Sequence, residues 1–500
     1  MILNEIIDLL KDQIVSKNIK ISGDTELKNI KDNSEKVEEN DIFVAIKGSA
    51  VDGHDYINTA YKKGAALIIL ENNKKLIDLG DINYLRVKNS RKALADIAYH
   101  FSDVDLNRFK TYAVTGTNGK STSISLLHHL LREAKKNSSL LSTVEIKIND
   151  EVIDMPYNTT PSTLKIVDIL EKSTEKNIDF VNFEVSSHAI AQKRIDNLSF
   201  DIVAYTNITR DHLDYHKDFK EYEDIKLSLV NYLRPNGKVI INTDNLPLSK
   251  FPDIPRENII TYGMSDEADF KIKDISESIY QMNFKITTPD GKEISIYSSI
   301  IGTFNAYNIT NAAIAANLLG LSYEEIKHGV ITFKGVPGRF QLVPSSKALG
   351  FSVVIDFAHT PDALEKVLMT AKKIVKGRVI CVFGAGGNAD KGKRKIMGEV
   401  VSSIADIIVL TTDDPKDEDP DKIVEDIKTG IELDKNFIVI PDRKTAINAA
   451  INFANREDIV IIAGRGHEKH QIFSNGKKVK FDDFEVAYEC IENLRRSMKK

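Results

Sequence analysis

Two cysteines in 500 residues, Cys381 and Cys490, are too few for a disulfide framework or a thiolate metal cluster. Cys381 falls within an apolar strand pattern and reads as a small core residue. No apolar run approaches the about 18 residues that a membrane-crossing helix needs. There is no basic excess either: 68 Lys and Arg stand against 73 Asp and Glu, a net charge of -5. That balance speaks against nucleic acid as the main partner. Residues 1–11 are acidic and amphipathic, without the basic start and cleavage site of a signal peptide. Internal repeats and low-complexity tracts are also lacking. The expectation is a cytoplasmic protein in a reducing compartment, with no membrane partner. At about 150 residues per domain, the length suggests about three domains.

What is present begins with Thr111-Tyr-Ala-Val-Thr-Gly-Thr-Asn-Gly-Lys-Ser-Thr122. A short apolar strand turns through glycines and enters a helical pattern with Leu126, Leu127, Leu130 and Leu131 on one face. Such a loop curls its backbone N–H groups round phosphate, and the helix N-terminus adds partial positive charge. Lys120 can reach outer phosphates and Ser121 can ligate Mg²⁺. A full phosphate-loop pattern would place glycine where Val114 stands. The plainer alternative is an ordinary strand-to-helix turn capped by Asn118.

Around this loop the chain reads as an α/β protein of three domains. Residues 1–107 form a small N-terminal α/β domain. Residues 108–334 form a central phosphate-loop domain, a doubly wound sheet with an antiparallel insertion at 269–299, where the hydrophobic period changes to 2. Residues 335–500 alternate strands and helices as a Rossmann-like sheet: strands at 352–357, 378–383, 406–411, 437–440 and 458–462, with helices between them. Arg495 to Lys500 reads as a solvated tail.

Several polar clusters fall at the ends of apolar strands. Glu184 closes a buried run and is costly there unless paired or metal-bound. Asn207-Ile-Thr-Arg-Asp-His-Leu-Asp-Tyr-His216 offers imidazoles and carboxylates beside the phosphate loop, and His212 is the candidate ligand, against a loop-capping role. Asn158-Thr-Thr-Pro-Ser162 is either a binding turn or a simple helix cap. Gly384-Ala-Gly-Gly-Asn-Ala389 satisfies G-x-G-x-x-A, the basis for an alternative reading as an NAD(P)-dependent dehydrogenase, with Asp413 or Asp414 on the ribose. The basic segment 390–395 suits anionic substrate groups better. A non-catalytic nucleotide switch is a third reading. Asp413-Asp-Pro-Lys-Asp-Glu418 and Ala463-Gly-Arg-Gly-His-Glu468 close two further strands and would face one cleft.

Together these motifs resemble the Mur ligases, the ATP-dependent enzymes that build the peptidoglycan stem peptide, over essentially the whole chain. They are Thr-Gly-Thr-Asn-Gly-Lys-Ser121, Asn-Thr-Thr-Pro161, Glu-Val-Ser-Ser-His-Ala189, Asp-His-Leu-Asp-Tyr-His216, Phe-Asn-Ala-Tyr-Asn308, Gly-Arg339, Asp-Phe-Ala-His-Thr-Pro361, Asp-Lys-Gly-Lys-Arg394 and Gly-His-Glu468. Folylpolyglutamate synthases share the loop but usually carry glycine where Ser121 stands.

The resemblance implies an ATP- and Mg²⁺-dependent amide ligase, a monomer. It would add a diamino acid to UDP-N-acetylmuramoyl-L-alanyl-D-glutamate through an acyl phosphate. Gly116, Thr117, Asn118, Gly119, Lys120 and Ser121 would bind the ATP phosphates, Asn305 and Asn308 the adenine, and Arg339 and Asp356 the ribose and phosphates across the domain junction. Ser121, Glu184, His212 and Lys226, the last as a carbamate, would hold Mg²⁺. Ser34, Gly53 and His54 would take the uridine diphosphate, and Thr159, Thr160, Ser186, Gln192 and Arg194 the acyl peptide. Arg394, Asp413, Asp414, Lys416, Gly464 and Glu468 would meet the amino acid. The family's diaminopimelate enzymes usually show Asp-Asn-Pro-Arg and its lysine enzymes Asp-Asn-Pro-Ala; here the motif is Asp413-Asp414-Pro415-Lys416. Charge matching favours meso-diaminopimelate over L-lysine or L-ornithine, because Lys416 keeps a cation for a distal carboxylate, with Arg394 also available. The competing reading has Lys416 paired with Asp417 or Glu418 in solvent. Glu35 and Ala389 stand where basic residues are common in the family.

Overall fold

The computed structural model describes residues 1–48, 51–72, 82–156, 158–432 and 434–497, the side chain of Ser345 excepted. The chain divides into two compact units: Met1–Phe109 with Tyr157–Asp179 and Val185–Ser199, and Lys110–Pro156 with Phe180–Glu184 and Phe200–Lys500.

The first unit is built on a five-stranded sheet in the order Ile14–Asn18, Tyr84–Val87, Leu67–Leu70, Ile42–Val44, Ile30–Lys31. Only Ile14–Asn18 runs antiparallel to its neighbour. Leu67 and Ile69 enter one apolar core, with Leu3, Ile6, Leu94 and Ile97. Ile68 and Leu70 enter another, with Phe43 and Ala60. The period of 2 along a strand thus divides one apolar run between two faces, which is why the sequence shows no alternation there.

The second unit holds two large sheets. The first has eleven strands, with Lys110–Thr115 between Phe180–Glu184 and Phe200–Tyr205, all parallel. The expected antiparallel insertion is part of this sheet. Phe270–Glu277 pairs in parallel with Ile259–Gly263, and the antiparallel strands Met282–Thr287 and Glu293–Ser298 extend that edge. The other edge is formed by Ser138–Leu141, Ile146–Ile148 and Glu151–Asp154, which the apolar pattern did not reveal because they are short and carry Ser, Lys and Asp. The expected helix at 219–233 is α-helical to Leu227 and continues as a 3₁₀ segment, Ser228–Tyr232, before a strand begins at Leu233.

The second sheet has six strands in the order Gln341–Leu342, Ser352–Asp356, Ile459–Ala463, Val379–Phe383, Ile407–Leu410, Phe437–Val439. It is parallel apart from Gln341–Leu342. The expected strands fall within two residues of these bounds. A hairpin, His470–Phe473 with Lys477–Lys480, is additional. Arg495 and Arg496 belong to the helix Asp483–Ser497 rather than to a tail; residues 498–500 of that expected tail lie outside the described residues.

That last helix is tied down by charge. Asp483 accepts from Arg443 Nε at 2.8 Å and Nη2 at 2.7 Å, and neither side chain has solvent exposure. Arg443 Nη2 also donates to the Ala463 carbonyl at 2.9 Å. Arg443→Met leaves the Asp483 carboxylate buried without its partner. It should cost about 3–5 kcal/mol of stability, read from the denaturant midpoint.

Candidate functional site

Strand Lys110–Thr115 keeps its pairing through Val114, which lies opposite both Glu184 and Ala204. The first glycine of a full phosphate-loop pattern is therefore replaced by a buried strand residue, and the loop opens at Gly116. Gly116 (φ 151) and Gly119 (φ 88) lie where a side chain cannot fit. A Cβ would stand 1.9 Å from Thr206 Oγ1 at the first and 2.3 Å from Asn308 Oδ1 at the second. Asn308 in turn donates to Asn305 Oδ1 at 3.0 Å, so the two expected adenine contacts also brace the loop. Asn207 and Thr206 hold the loop from the neighbouring strand, through the Asn118 N–H at 3.0 Å and the Asn118 carbonyl at 2.6 Å.

The Gly116 carbonyl accepts from two lysine side chains, Lys120 Nζ at 2.9 Å and Lys226 Nζ at 2.7 Å. Burial lowers the pKa of Lys120, with Glu184 opposing. Burial and then the Lys120 charge bring Lys226 well below the ordinary lysine value. Beside them, Glu184 accepts from Ser121 Oγ at 2.9 Å and from Thr143 N and Oγ1, each at 2.9 Å. Ser121 and Glu184 form an oxygen pair of the kind Mg²⁺ prefers, an ion that takes about one or two protein carboxylates with phosphate and water. Among the described residues no three His, Cys, Asp or Glu side chains gather as a metal cluster. His212 is half-exposed, with Nε2 3.5 Å from Asp211 Oδ2.

Residues of the six-stranded sheet reach this loop. Arg339 Nη2 donates to Ser121 Oγ at 3.4 Å and stacks 4.1 Å over the Phe357 ring. Asp362 accepts from Asn118 Nδ2 at 2.7 Å, and Arg210 pairs with Asp390 at 3.0 Å. Asp211, which the sequence did not single out, lies 3.8 Å from both His359 Nε2 and Lys393 Nζ. Burial works against its charge, but His212, His359 and Lys393 hold its carboxyl below the usual carboxylate range. Asp356 is occupied differently from expectation: its oxygens accept from the Phe340 N–H at 2.6 Å and the Ala358 N–H at 2.7 Å. It clamps the turn that aims Arg339.

Four non-glycine residues here sit at left-handed φ: His212 (53), Phe340 (45), Asn388 (51) and Lys416 (51). Each such residue costs on the order of 1–3 kcal/mol, a cost borne chiefly where geometry matters.

The G-x-G-x-x-A glycines have a packing explanation. A Cβ on Gly384 would stand 2.2 Å from the Thr411 carbonyl, and one on Gly387 1.9 Å from that of Pro415. They let two loops touch, which removes the reason to read a dinucleotide site. In the adjoining loop Asp414 accepts from Arg465 and from the Ile472 N–H at 3.0 Å. Gly464 (φ 116) lies against Asp413. Arg394, expected to be available, is buried and bound to Glu418 at 3.0 Å and Asp426 at 2.8 Å. Lys416 is half-buried and has no ion pair among the described residues; Glu418 is taken by Arg394 and Lys391, and Asp417 by Asn388.

The residues expected at the nucleotide-sugar peptide all lie in the first unit. Thr160, Ser186, Gln192 and Arg194 form one knot: Arg194 donates to the Thr160 carbonyl and to Gln192 Oε1, both at 2.7 Å, and the Ser186 N–H donates to Thr160 Oγ1 at 3.1 Å. Thr159 adjoins it, half-buried. Ser34 is buried in a short 3₁₀ turn. His54 is held by Asp52 at 2.7 Å and accepts from the Glu71 N–H at 3.1 Å, so its ring braces the domain. Gly53 is required by a 2.7 Å approach to Ile46.

Gly338 (φ 68) seats the linker against the loop of the expected amino-acid site, and a Cβ there would stand 2.2 Å from His467 N. Gly338→Ala should lose at least about 1–3 kcal/mol, measured by chemical denaturation.

Three family models match successive parts of the chain. Residues 26–102 match the model of the Mur ligase family catalytic domain, residues 114–316 the Mur ligase middle domain, and residues 338–466 the Mur ligase glutamate ligase domain. A UDP-N-acetylmuramoyl-L-alanyl-D-glutamate--2,6-diaminopimelate ligase of Clostridium tetani is 35% identical, covering 99% of this chain and 100% of its own. Its namesake from Clostridioides difficile is 37% identical, covering 95% and 97%. A solved structure of a ligase of that name superposes with a TM-score of 0.66 at 29% identity, covering 99% of each chain. With relatives of that identity along nearly its whole length, the chain belongs to the Mur ligase family.

Proposed function

We propose that this protein is the ATP-dependent ligase that joins a diamino acid to UDP-N-acetylmuramoyl-L-alanyl-D-glutamate in peptidoglycan synthesis. The observation that carries the reading is the meeting of Ser121, Glu184 and Arg339 at a glycine loop whose carbonyl is bound by half-buried Lys120 and buried Lys226. It is supported by the names of relatives that match end to end. We read three domains, 1–107, 108–334 and 335–500, in a cytoplasmic monomer. Among the described residues no helix is long and apolar enough to cross a membrane.

The chemistry follows from what a carboxylate lacks. Its oxygen is a poor leaving group, so an amine cannot displace it. A carboxylate oxygen of the acceptor attacks the γ-phosphorus of ATP, the bond to the β-phosphate oxygen breaks, and ADP leaves. The resulting acyl phosphate is attacked by the amino group, and phosphate departs with the oxygen the carboxylate supplied. Lys120 stabilises charge on the transferring group, and Arg339 completes the loop from the other sheet. Ser121 and Glu184 would hold Mg²⁺, with His212 and a carbamate on Lys226 as further candidates; when bound, the ion neutralises phosphate charge. Burial favours a neutral amine at Lys226, the form that adds to CO₂ with loss of a proton.

Lys120→Ala should cut turnover by about 10²–10³. Lys226→Ala should be nearly inactive and partly restored by acetate. An intact mass showing an unmodified amine in fully active enzyme contradicts the carbamate.

For the amino acid we favour meso-diaminopimelate over L-lysine or L-ornithine. Lys416 supports this, because it is half-buried without an ion pair among the described residues, while Arg394 is engaged elsewhere. Comparison of kcat/KM for the three amino acids should rank diaminopimelate first, and Lys416→Ala should narrow the difference. Lysine or ornithine first, with a ranking indifferent to Lys416→Ala, reverses the assignment.

A further inference from the structure

The loop after strand Ile459–Ala463 carries a side chain with no role in the reading so far. Arg465 is fully buried. Its Nη1 donates to Asp414 and lies 3.7 Å from Asp413 Oδ1. Its Nη2 donates to the His470 carbonyl and lies 3.6 Å from Glu468 Oε2, and its Nε has no hydrogen-bond partner. The other buried guanidinium nearby, Arg443, lies 4.0 Å from Asp413 but is committed to Asp483. Three carboxylates therefore converge on one internal cation.

They are not equivalent. The side chains of Asp413 and Asp414 are 10% and 11% exposed, and Asp414 Oδ1 already accepts two donors. Glu468 is 39% exposed, and at 3.6 Å it is too far from the guanidinium for a hydrogen bond. Its lone pairs on that side remain for a ligand.

Resting on the reading of this pocket as the amino-acid site, we propose that Arg465 is its positioning residue. The guanidinium fixes Asp413 and Asp414 from behind and leaves Glu468 to receive the ammonium group at the far end of the incoming side chain. Carboxylates packed this closely repel and take up protons unless a cation stands among them. Burial pushes the Glu468 carboxyl up to about 8; Arg465 opposes that rise, while Asp413 and Asp414 add to it. A planar guanidinium with several donors can serve several carboxylates at once, and its permanent charge opposes their protonation.

The test compares meso-diaminopimelate with 2-aminopimelate, which carries hydrogen in place of the distal amine, through the ratio of their kcat/KM. If lysine proves the better substrate, lysine against norleucine serves equally. The wild type should favour the diamine by at least about tenfold. Arg465→Met should bring the ratio close to one through KM for the diamine, with kcat little changed and KM for ATP within about twofold. Arg465→Lys, which keeps the charge but not the fork of donors, should retain part of the preference. A purely structural role would lower both amino acids alike. An unchanged ratio in Arg465→Met overturns the proposal, and if that variant does not fold, loss of the preference in Arg465→Lys overturns it. Failure of the wild type to ligate any of these amino acids overturns the reading of the pocket as well.

Discussion

One backbone carbonyl, that of Gly116, accepts from half-buried Lys120 at 2.9 Å and buried Lys226 at 2.7 Å. Two such groups side by side repel when both are charged, and the surroundings are arranged around that cost. Glu184 sits at the adjoining strand end and opposes the loss of charge on both lysines. The glycines at 116 and 119 follow from the same crowding, because Thr206 and Asn308 occupy the space a side chain would need. A polyphosphate is the ligand whose charge and shape answer this arrangement.

Phosphoryl transfer then needs its groups fixed before reaction, since most of the catalysis is placement and preorganised charge. Here the two sheets of the second unit share the task. Arg339 meets Ser121, Asp362 meets Asn118, and Asp211 gathers His359 and Lys393. Strain at Phe340 and His212 is located at this junction. At Phe340 the cost is offset by Asp356, whose carboxylate accepts the Phe340 and Ala358 N–H groups around the Arg339 turn. The amino-acid loops use charge in another way, with buried guanidinium groups at Arg443 and Arg465 holding acids in place.

Much of this was legible in the sequence because it rests on local pattern. Strands such as Val379–Phe383 and Ile459–Ala463 are apolar runs bounded by polar turns, and the phosphate loop and the family motifs are contiguous. What escaped is set by partners distant in sequence. Asp211 matters through His359 and Lys393, and Arg465 through Asp413 and Asp414; neither contact follows from spacing. Arg394 looked available as part of a basic run, but Asp426, in the next helix Pro420–Lys428, engages it. The strands near 138–154 were hidden by their polar residues, and those at 270–298 read as an insertion because period alone does not report which sheet edge a hairpin extends.

The acyl phosphate is the central claim, and oxygen tracing tests it most directly. With the acceptor D-glutamate carboxylate labelled with ¹⁸O, ligation is run to completion and the released phosphate is analysed by mass spectrometry. The account predicts one ¹⁸O in phosphate for each amide formed. Phosphate free of label, alongside amide formation, would contradict it.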